Sequence, residues 1–211
     1  RARRNIEALI SHATAADTSA TASAFEGIVE RIVQAAANSP DPDMALNNLE
    51  RLFDGCESPR TIFYELASRP LLLEEALYLF GSSQSFSDIV IELGHFDWLD
   101  TGRQESPEEY RRRLCEEFRR AVLAHPDRPS QWNALRRSKH LETVRIGWDD
   151  VLHDRPIEDV TRRISLLAEA VLETALAMGV DAVRARLKLP ADCPFPELCI
   201  LGLGKLGGEE L

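Results

Sequence analysis

The sequence has no Cys-x-x-Cys pair, no excess of basic charge and no long apolar run, and each absence removes a class of protein. Its four cysteines, Cys56, Cys115, Cys193 and Cys199, are scattered through 211 residues. That spacing is not a zinc pattern, and a chain this long and core-rich needs no disulfide scaffold, so they are read as reduced thiols of a cytoplasmic protein. The formal net charge is −10. A nucleic-acid surface would need a basic patch to neutralise phosphates, so no nucleic-acid partner is expected. No apolar stretch approaches the roughly 20 residues that span a bilayer, and Arg1-Ala2-Arg3-Arg4 leads into no apolar signal core. No membrane partner is expected either. The five histidines lack metal-ligand spacing. No initiator methionine is present, which reads as a stretch trimmed from a longer chain.

What is present is helix. With 44% hydrophobic and 28% charged residues the composition is that of a globular chain, not a disordered one. Ile6, Leu9, Ile10 and Ala13 suggest a first short helix, and Thr14 to Ser23 a loop. Ser23 with Glu26 fits a capping box, opening a helix whose stripe runs from Phe25 through Val29, Ile32 and Val33 to Ala36. Asp41-Pro42, Ser58-Pro59 and Ser106-Pro107-Glu108-Glu109 are start signals, each a cap followed by proline at the first helical position. Gly55, Gly81 and Gly94 are stop signals. A long helix is expected from Ser130 toward Leu152 with Trp132, Leu135, Leu141, Val144 and Trp148 inside. Another runs from Ile157 to a stop at Gly179, and a short one precedes Pro190. Leu49, Leu77, Phe118, Ile164 and Val171, with Val29, are expected in the core. Segment lengths vary too much for a repeat array. Arg111-Arg112-Arg113 reads as a solvated cluster paired with Glu116 and Glu117.

The last thirteen residues differ in kind. Leu198 to Leu201 is a short apolar run that meets glycines and then helix formers, the pattern of strand, tight turn and first helical turn. Such turns bind phosphates, because glycine lets the backbone come close and N–H groups point at the anion. Gly202-x-Gly204-x-x-Gly207 is also a formal match to a dinucleotide fingerprint. From the residues alone four readings stay open: a nucleotide-phosphate turn, an ordinary strand–helix turn, a helical protein-interaction module without chemistry, and a truncated dinucleotide-binding enzyme. No acidic pair upstream suits catalysis. Glu74-Glu75, Glu108-Glu109 and Glu116-Glu117 fit solvated helix faces. Ser82, Ser83 and Ser85 lack the strand–elbow context of a nucleophile and fit caps.

Four blocks together carry a resemblance. Leu198 to Leu211 resembles the nucleotidyltransferase signature of the bacterial glutamine synthetase adenylyltransferases, bifunctional with adenylyl removal. Ala45-Leu46-Asn47-Asn48-Leu49-Glu50-Arg51 is similar to their early helical motif. Leu79-Phe80-Gly81-Ser82-Ser83-Gln84 through Leu99 resembles their Phe-Gly-Ser-Ser segment, and Leu135-Arg136-Arg137 through Asp149 their arginine-rich helix. The Ile146-Gly147-Trp148-Asp149 form looks like the N-terminal half, which removes AMP by phosphorolysis.

The resemblance implies a mainly α fold. An irregular helical bundle over residues 1–190 would be followed, over 191–211, by the first strand and phosphate turn of a truncated polymerase-β-like nucleotidyltransferase α/β domain. It implies that Gly204, Lys205, Gly207 and Gly208 hold nucleotide phosphates and that Arg136 and Arg137 contact phosphates or a partner. Mg2+ and an adenine nucleotide, ATP or ADP, are the implied cofactors. Glutamine synthetase and the PII signalling protein are the implied partners. The metal-binding aspartates are expected just past Leu211, so no catalytic or metal residue is expected within the chain, and the stretch alone is expected to be inactive.

Overall fold

The computed structural model of the protein describes residues 19–97, 99, 105–190, 193–194, 196–208 and 210–211, with side chains from Ile28 onward. Among these there are eight α-helices and no strand. In order they are α1 (Ser19–Ala37), α2 (Pro42–Gly55), α3 (Pro59–Ser68), α4 (Pro70–Ser82), α5 (Gln84–Leu93), α6 (Pro107–Leu123), α7 (Arg128–His153) and α8 (Ile157–Leu187). The first helix expected at Ile6–Ala13 lies outside the described residues. The chain divides into two compact units. One holds residues 1–100 and 147–154, the other 101–146 and 155–211. Helix α7 therefore gives its residues through Ile146 to the second unit and those from Gly147 on to the first.

In the first unit α4 is the central element, packed against α1, α2, α3 and α5. Its buried residues, Leu72, Leu73, Ala76, Leu77, Leu79 and Phe80, cover more than one face, as a helix surrounded by others requires. Gly81 does not stop α4 but lies inside it. A Cβ there would stand 2.7 Å from Ser39 Oγ and 3.0 Å from the carbonyl oxygen of Asp41, so glycine is what lets the link between α1 and α2 sit against α4. Asn48 of α2, wholly buried, donates to the Phe80 carbonyl (3.1 Å) and exchanges hydrogen bonds with Gln84 (3.0 and 3.3 Å). Arg51 donates to Asn48 Oδ1 at 2.9 Å and to Asp88 at 2.8 Å. The bonds from Arg51 and Gln84 hold the Asp88 carboxyl below the usual carboxylate range. Gly147 leaves room for the Phe86 ring, which a Cβ would overlap, and Trp148 beside it is buried. Two of the family-like blocks thus dock on one another, and the third supplies packing.

In the second unit α6 packs on α8. Tyr110, Leu114, Phe118 and Val122 repeat at helical spacing and meet Leu135, Ile146, Val160, Leu167, Ala170 and Met178. Helix α6 opens on the expected capping box: Ser106 Oγ accepts from Glu109 N (3.2 Å) and Glu109 Oε2 from Ser106 N (2.9 Å). Arg111 and Arg112 are exposed, as expected of a solvated cluster, and Arg113 pairs with Glu117, but Arg113 is also drawn into the core. Arg113 donates to Glu105 (2.9 Å), Glu117 (3.1 Å) and Glu142 (3.3 Å), and Glu142, at 2% exposure, also accepts from Arg145 (3.0 Å). The Arg113 and Arg163 guanidinium groups both lie over the Tyr110 ring, 5.1 and 5.3 Å from its centre. Burial first, then the Glu142 charge, pushes its hydroxyl far above the ordinary tyrosine range.

Several expected boundaries move. Helix α1 begins at Ser19, so Ser23 is inside it. Helix α8 runs through Gly179 to Leu187 and absorbs the separate short helix expected before Pro190. A single glycine costs about 1 kcal/mol in a helix, too little to break one that continues on both sides. The stop is Lys188, in the left-handed conformation at φ 52°. Leu49, Leu77 and Phe118 are buried as expected, whereas Val29, Ile164 and Val171 are half-buried. Val33 and Trp132 are exposed, and Leu141 is half-buried beside a buried glutamate.

Two stability measurements check this packing. Gly81→Ala gains about 1 kcal/mol of helix propensity but forces backbone and a buried serine apart, an overpacking cost of about 1–3 kcal/mol. Urea denaturation is expected to show a net loss, and a gain would mean the link gives way freely. Arg113→Met leaves Glu142 buried with Arg145 alone, and breaking such a pair costs about 3 kcal/mol or more. Adding Glu142→Leu is expected to recover part of that loss; a double variant less stable than the single one would contradict the assignment.

Candidate functional site

The candidate phosphate residues Gly204, Lys205, Gly207 and Gly208 do come together in one turn, but the strand expected before it is not formed. Residues 196–203 have no strand pairing, because a strand needs a neighbour to take its backbone groups and the described residues supply none. Leu198, Cys199, Ile200 and Gly202 line a cavity, Leu198 and Ile200 at 56% and 51% exposure, and Leu201 and Leu203 are exposed at 80% and 86%.

The four glycine-turn residues divide by what the backbone asks of them. Gly204 sits at φ +63°, in the left-handed region that a side chain disfavours by roughly 1–2 kcal/mol. A Cβ on Gly207 would stand 2.5 Å from the Gly202 carbonyl oxygen, so Gly207 is needed to close the turn. Gly208 is different. Its φ is not positive, and a Cβ there would meet nothing nearer than 3.5 Å. Gly208 N donates to Gly204 O (3.0 Å) and Glu210 N to Lys205 O (2.8 Å). The N–H groups of Lys205, Leu206 and Gly207 donate to no acceptor among the described residues. Lys205 is exposed on this turn.

The turn forms one wall of a cavity of about 360 Å³ within the second unit. Helix α8 gives the opposite wall through Glu169, Leu172, Glu173 and Leu176, and α6 adds Arg111. Arg111 Nε donates to Glu169 Oε2 (3.1 Å) and Nη2 to Glu173 Oε2 (2.6 Å). The Cys115 thiol donates to the same Glu173 oxygen at 3.6 Å. Burial and the Glu173 charge push that thiol upward, so it stays protonated. Leu211 N reaches Ser165 Oγ of α8 at 3.4 Å. None of Arg111, Glu169 and Glu173 was a candidate in the sequence. Glu169 and Glu173 are four apart and share a helix face, but nothing in the linear order says that Arg111 lies opposite.

Arg136 and Arg137 are exposed on α7, and Arg136 donates to Asn133 Oδ1 at 3.2 Å. Among the described residues no hydrogen bond or ion pair joins either to the turn. No group of three His, Cys, Asp or Glu side chains comes together as a metal site among the described residues, so no step is assigned to a metal on this chain. No helix among them is long and apolar enough to cross a membrane.

The glutamate-ammonia ligase adenylyltransferase family model matches residues 73–211. Among curated proteins, the bifunctional glutamine synthetase adenylyltransferase/adenylyl-removing enzyme of Corynebacterium efficiens is 25% identical over 94% of this chain and 19% of its own length. The proteins of the same name from Alteromonas mediterranea and Shewanella frigidimarina are 28% and 31% identical, over 80% and 74% of the chain and 16% and 14% of their own lengths. The chain thus spans at most about a fifth of these relatives. No solved structure matches it.

The division of the glycines is testable by amide chemical shifts. Gly207→Ala is expected to move the resonances of the whole turn from Gly202 to Leu211. Gly208→Ala is expected to shift only its nearest neighbours; equal disturbance by both would remove the distinction.

Proposed function

The chain belongs to the glutamate-ammonia ligase adenylyltransferase family, and from that membership we propose that it is the helical part, with the phosphate turn, of the adenylyl-removing half of a bifunctional enzyme acting on glutamine synthetase. The complete enzyme binds an adenine nucleotide, ATP or ADP, works in the cytoplasm and answers to PII. Mg2+ would supply charge neutralisation for in-line transfer at AMP-bearing glutamine synthetase, and the residues of this chain are not the ones that hold it. Their part is to bind and orient phosphate oxygens through the free N–H groups of Lys205, Leu206 and Gly207 and the charge of Lys205. The strand that begins the nucleotidyltransferase sheet is completed at Leu198–Leu201 when a second strand lies beside it.

The observation that supports this reading is Gly208. Neither backbone conformation nor internal packing demands glycine there, so the space next to its backbone is left for something from outside. A phosphate that approaches the turn closely would use it.

Gly208→Val in the complete protein is the test. Loss of AMP removal, with normal circular dichroism and normal AMP attachment, is the expected result. Removal at the wild-type rate would make the turn a structural element only. Loss of attachment in place of removal would put the chain in the other half. The 211-residue chain alone is expected to release no ADP from adenylylated glutamine synthetase and phosphate; measurable release would mean that it holds its own catalytic carboxylates.

A further inference from the structure

The exposed side of α7 differs in charge from the rest of the chain. Between Arg128 and Ile146 the helix carries one acidic residue, Glu142, which is buried and paired with Arg113 and Arg145. Trp132, Arg136 and Lys139 stand at i, i+4 and i+7, the spacing of one helix face, and all three are exposed, Trp132 at 48%. Arg137, the residue after Arg136, is exposed as well. Among the described residues Arg136 donates only to Asn133 Oδ1, at 3.2 Å, and the side chains of Arg137 and Lys139 have no hydrogen-bond or ion-pair partner. Several surface arginines of other helices are neutralised within the chain, Arg51 by Asp88, Arg69 by Glu65, and Arg111 by Glu169 and Glu173.

Three unpaired cations around an exposed indole suit a surface that brings carboxylates and an apolar contact together. Tryptophan and arginine contribute most when such a face is covered, because the indole takes a large apolar area out of water and the guanidinium holds carboxylates in a fixed geometry. A small anion would use the cations and leave the indole in water. A nucleic acid would use both, but it is a polyanion along its whole length, and a chain of net charge −10 repels it. An acidic protein surface of limited extent meets the cations without that cost.

We infer that this face of α7 docks the protein substrate, through an acidic surface of glutamine synthetase that sets an apolar side chain on Trp132 and carboxylates on Arg136, Arg137 and Lys139. That the partner is glutamine synthetase rests on the proposed function; that it is an acidic protein surface rests on the charge of the face and its exposed indole. In that reading the glycine turn holds only phosphate oxygens, so a protein substrate has to be held at a second place. The α7 residues position it and take no part in bond making.

Binding is measured apart from catalysis. Adenylylated glutamine synthetase on a sensor surface is expected to bind the complete protein, with an affinity that falls as salt is raised. Trp132→Ala and the double variant Arg136→Glu/Lys139→Glu are each expected to weaken binding about tenfold or more, the double variant with loss of the salt dependence. KM for AMP removal is expected to rise by the same factor, with kcat little changed. Variants with wild-type affinity and KM would overturn the docking face and leave the proposed function standing. Binding weakened by the variants, in a protein that releases no ADP, would do the reverse, and no binding by the wild type would overturn both. Single-stranded DNA bound by the wild type and lost in the double variant would make the face a nucleic-acid site instead. A dimer in sedimentation that the double variant dissociates would make it a contact between copies. A lower melting temperature for the charge-neutral variant Arg136→Gln/Lys139→Gln of the complete protein would show that the protein's own remainder covers the face, which also overturns the docking.

Discussion

Arginines two positions apart on a helix point in nearly opposite directions, because each residue turns the axis by about 100°. Helix α6 uses this to fasten the second unit on two sides. Arg113 reaches Glu105 and the buried Glu142 of α7, and Arg111 reaches Glu169 and Glu173 of α8. The first is a buried ion pair, stable only because every charge in it has a partner. The second is half-exposed, and by itself adds less than about 1 kcal/mol. Its importance is positional: it sets one guanidinium at the edge of the cavity that the glycine turn closes.

The helix starts were legible because they are local. Asp41-Pro42, Ser83 and Ser106-Pro107 act through side chains that cap the next few N–H groups, and nothing distant can override that chemistry cheaply. Gly94 was legible as a stop for the same reason, since it takes the left-handed conformation at φ 71°. Gly81 and Gly179 look alike in sequence and are not stops. Gly81 is small because of Ser39 and Asp41, forty residues away in the chain, and that reason exists only in three dimensions. Trp132, in the second turn of α7, lies on the face of the helix that no other element covers. The pairing of Arg113 with Glu142 was equally out of reach, since an arginine with nearby glutamates is fully explained by solvation until a buried carboxylate is found opposite it.

The blocks that resemble the family divide in a way their sequences do not announce. The buried Asn48, with Arg51 and Gln84 on the surface beside it, forms a polar cluster that ties α2 to α4 and α5. A buried amide left without partners costs about 1–3 kcal/mol, so Asn48 needs the Phe80 carbonyl and the Gln84 amide as partners, with or without a substrate. Gly147 and Trp148 are explained by the Phe86 ring and by burial. Two of the four blocks, and Gly147-Trp148 of a third, are therefore accounted for by packing, whereas Arg136 and Arg137 of that third block are exposed. The fourth, Leu198 to Leu211, is not, and this is why the chemistry is sought there and not in the arginine-rich helix.

That last block is also the least satisfied part of the described structure. Leu201 and Leu203 are almost fully exposed, and burying a leucine stabilises by about 1.5–3 kcal/mol. The residues on either side of them make no strand pairing. A segment with apolar side chains facing out and an unpaired backbone gains on both counts when a strand is laid beside it. Leu198 and Ile200 line the cavity on the α8 side, and a partner strand would lie beside the segment in the plane of a sheet, pairing its backbone and leaving that cavity as it is. The turn would gain rigidity from such pairing, because Gly202 would be fixed from one side by the strand and from the other by its contact with Gly207. The free N–H groups of Lys205, Leu206 and Gly207 would then be held at a sheet edge, the arrangement in which a glycine turn holds an anion at the least cost in backbone order.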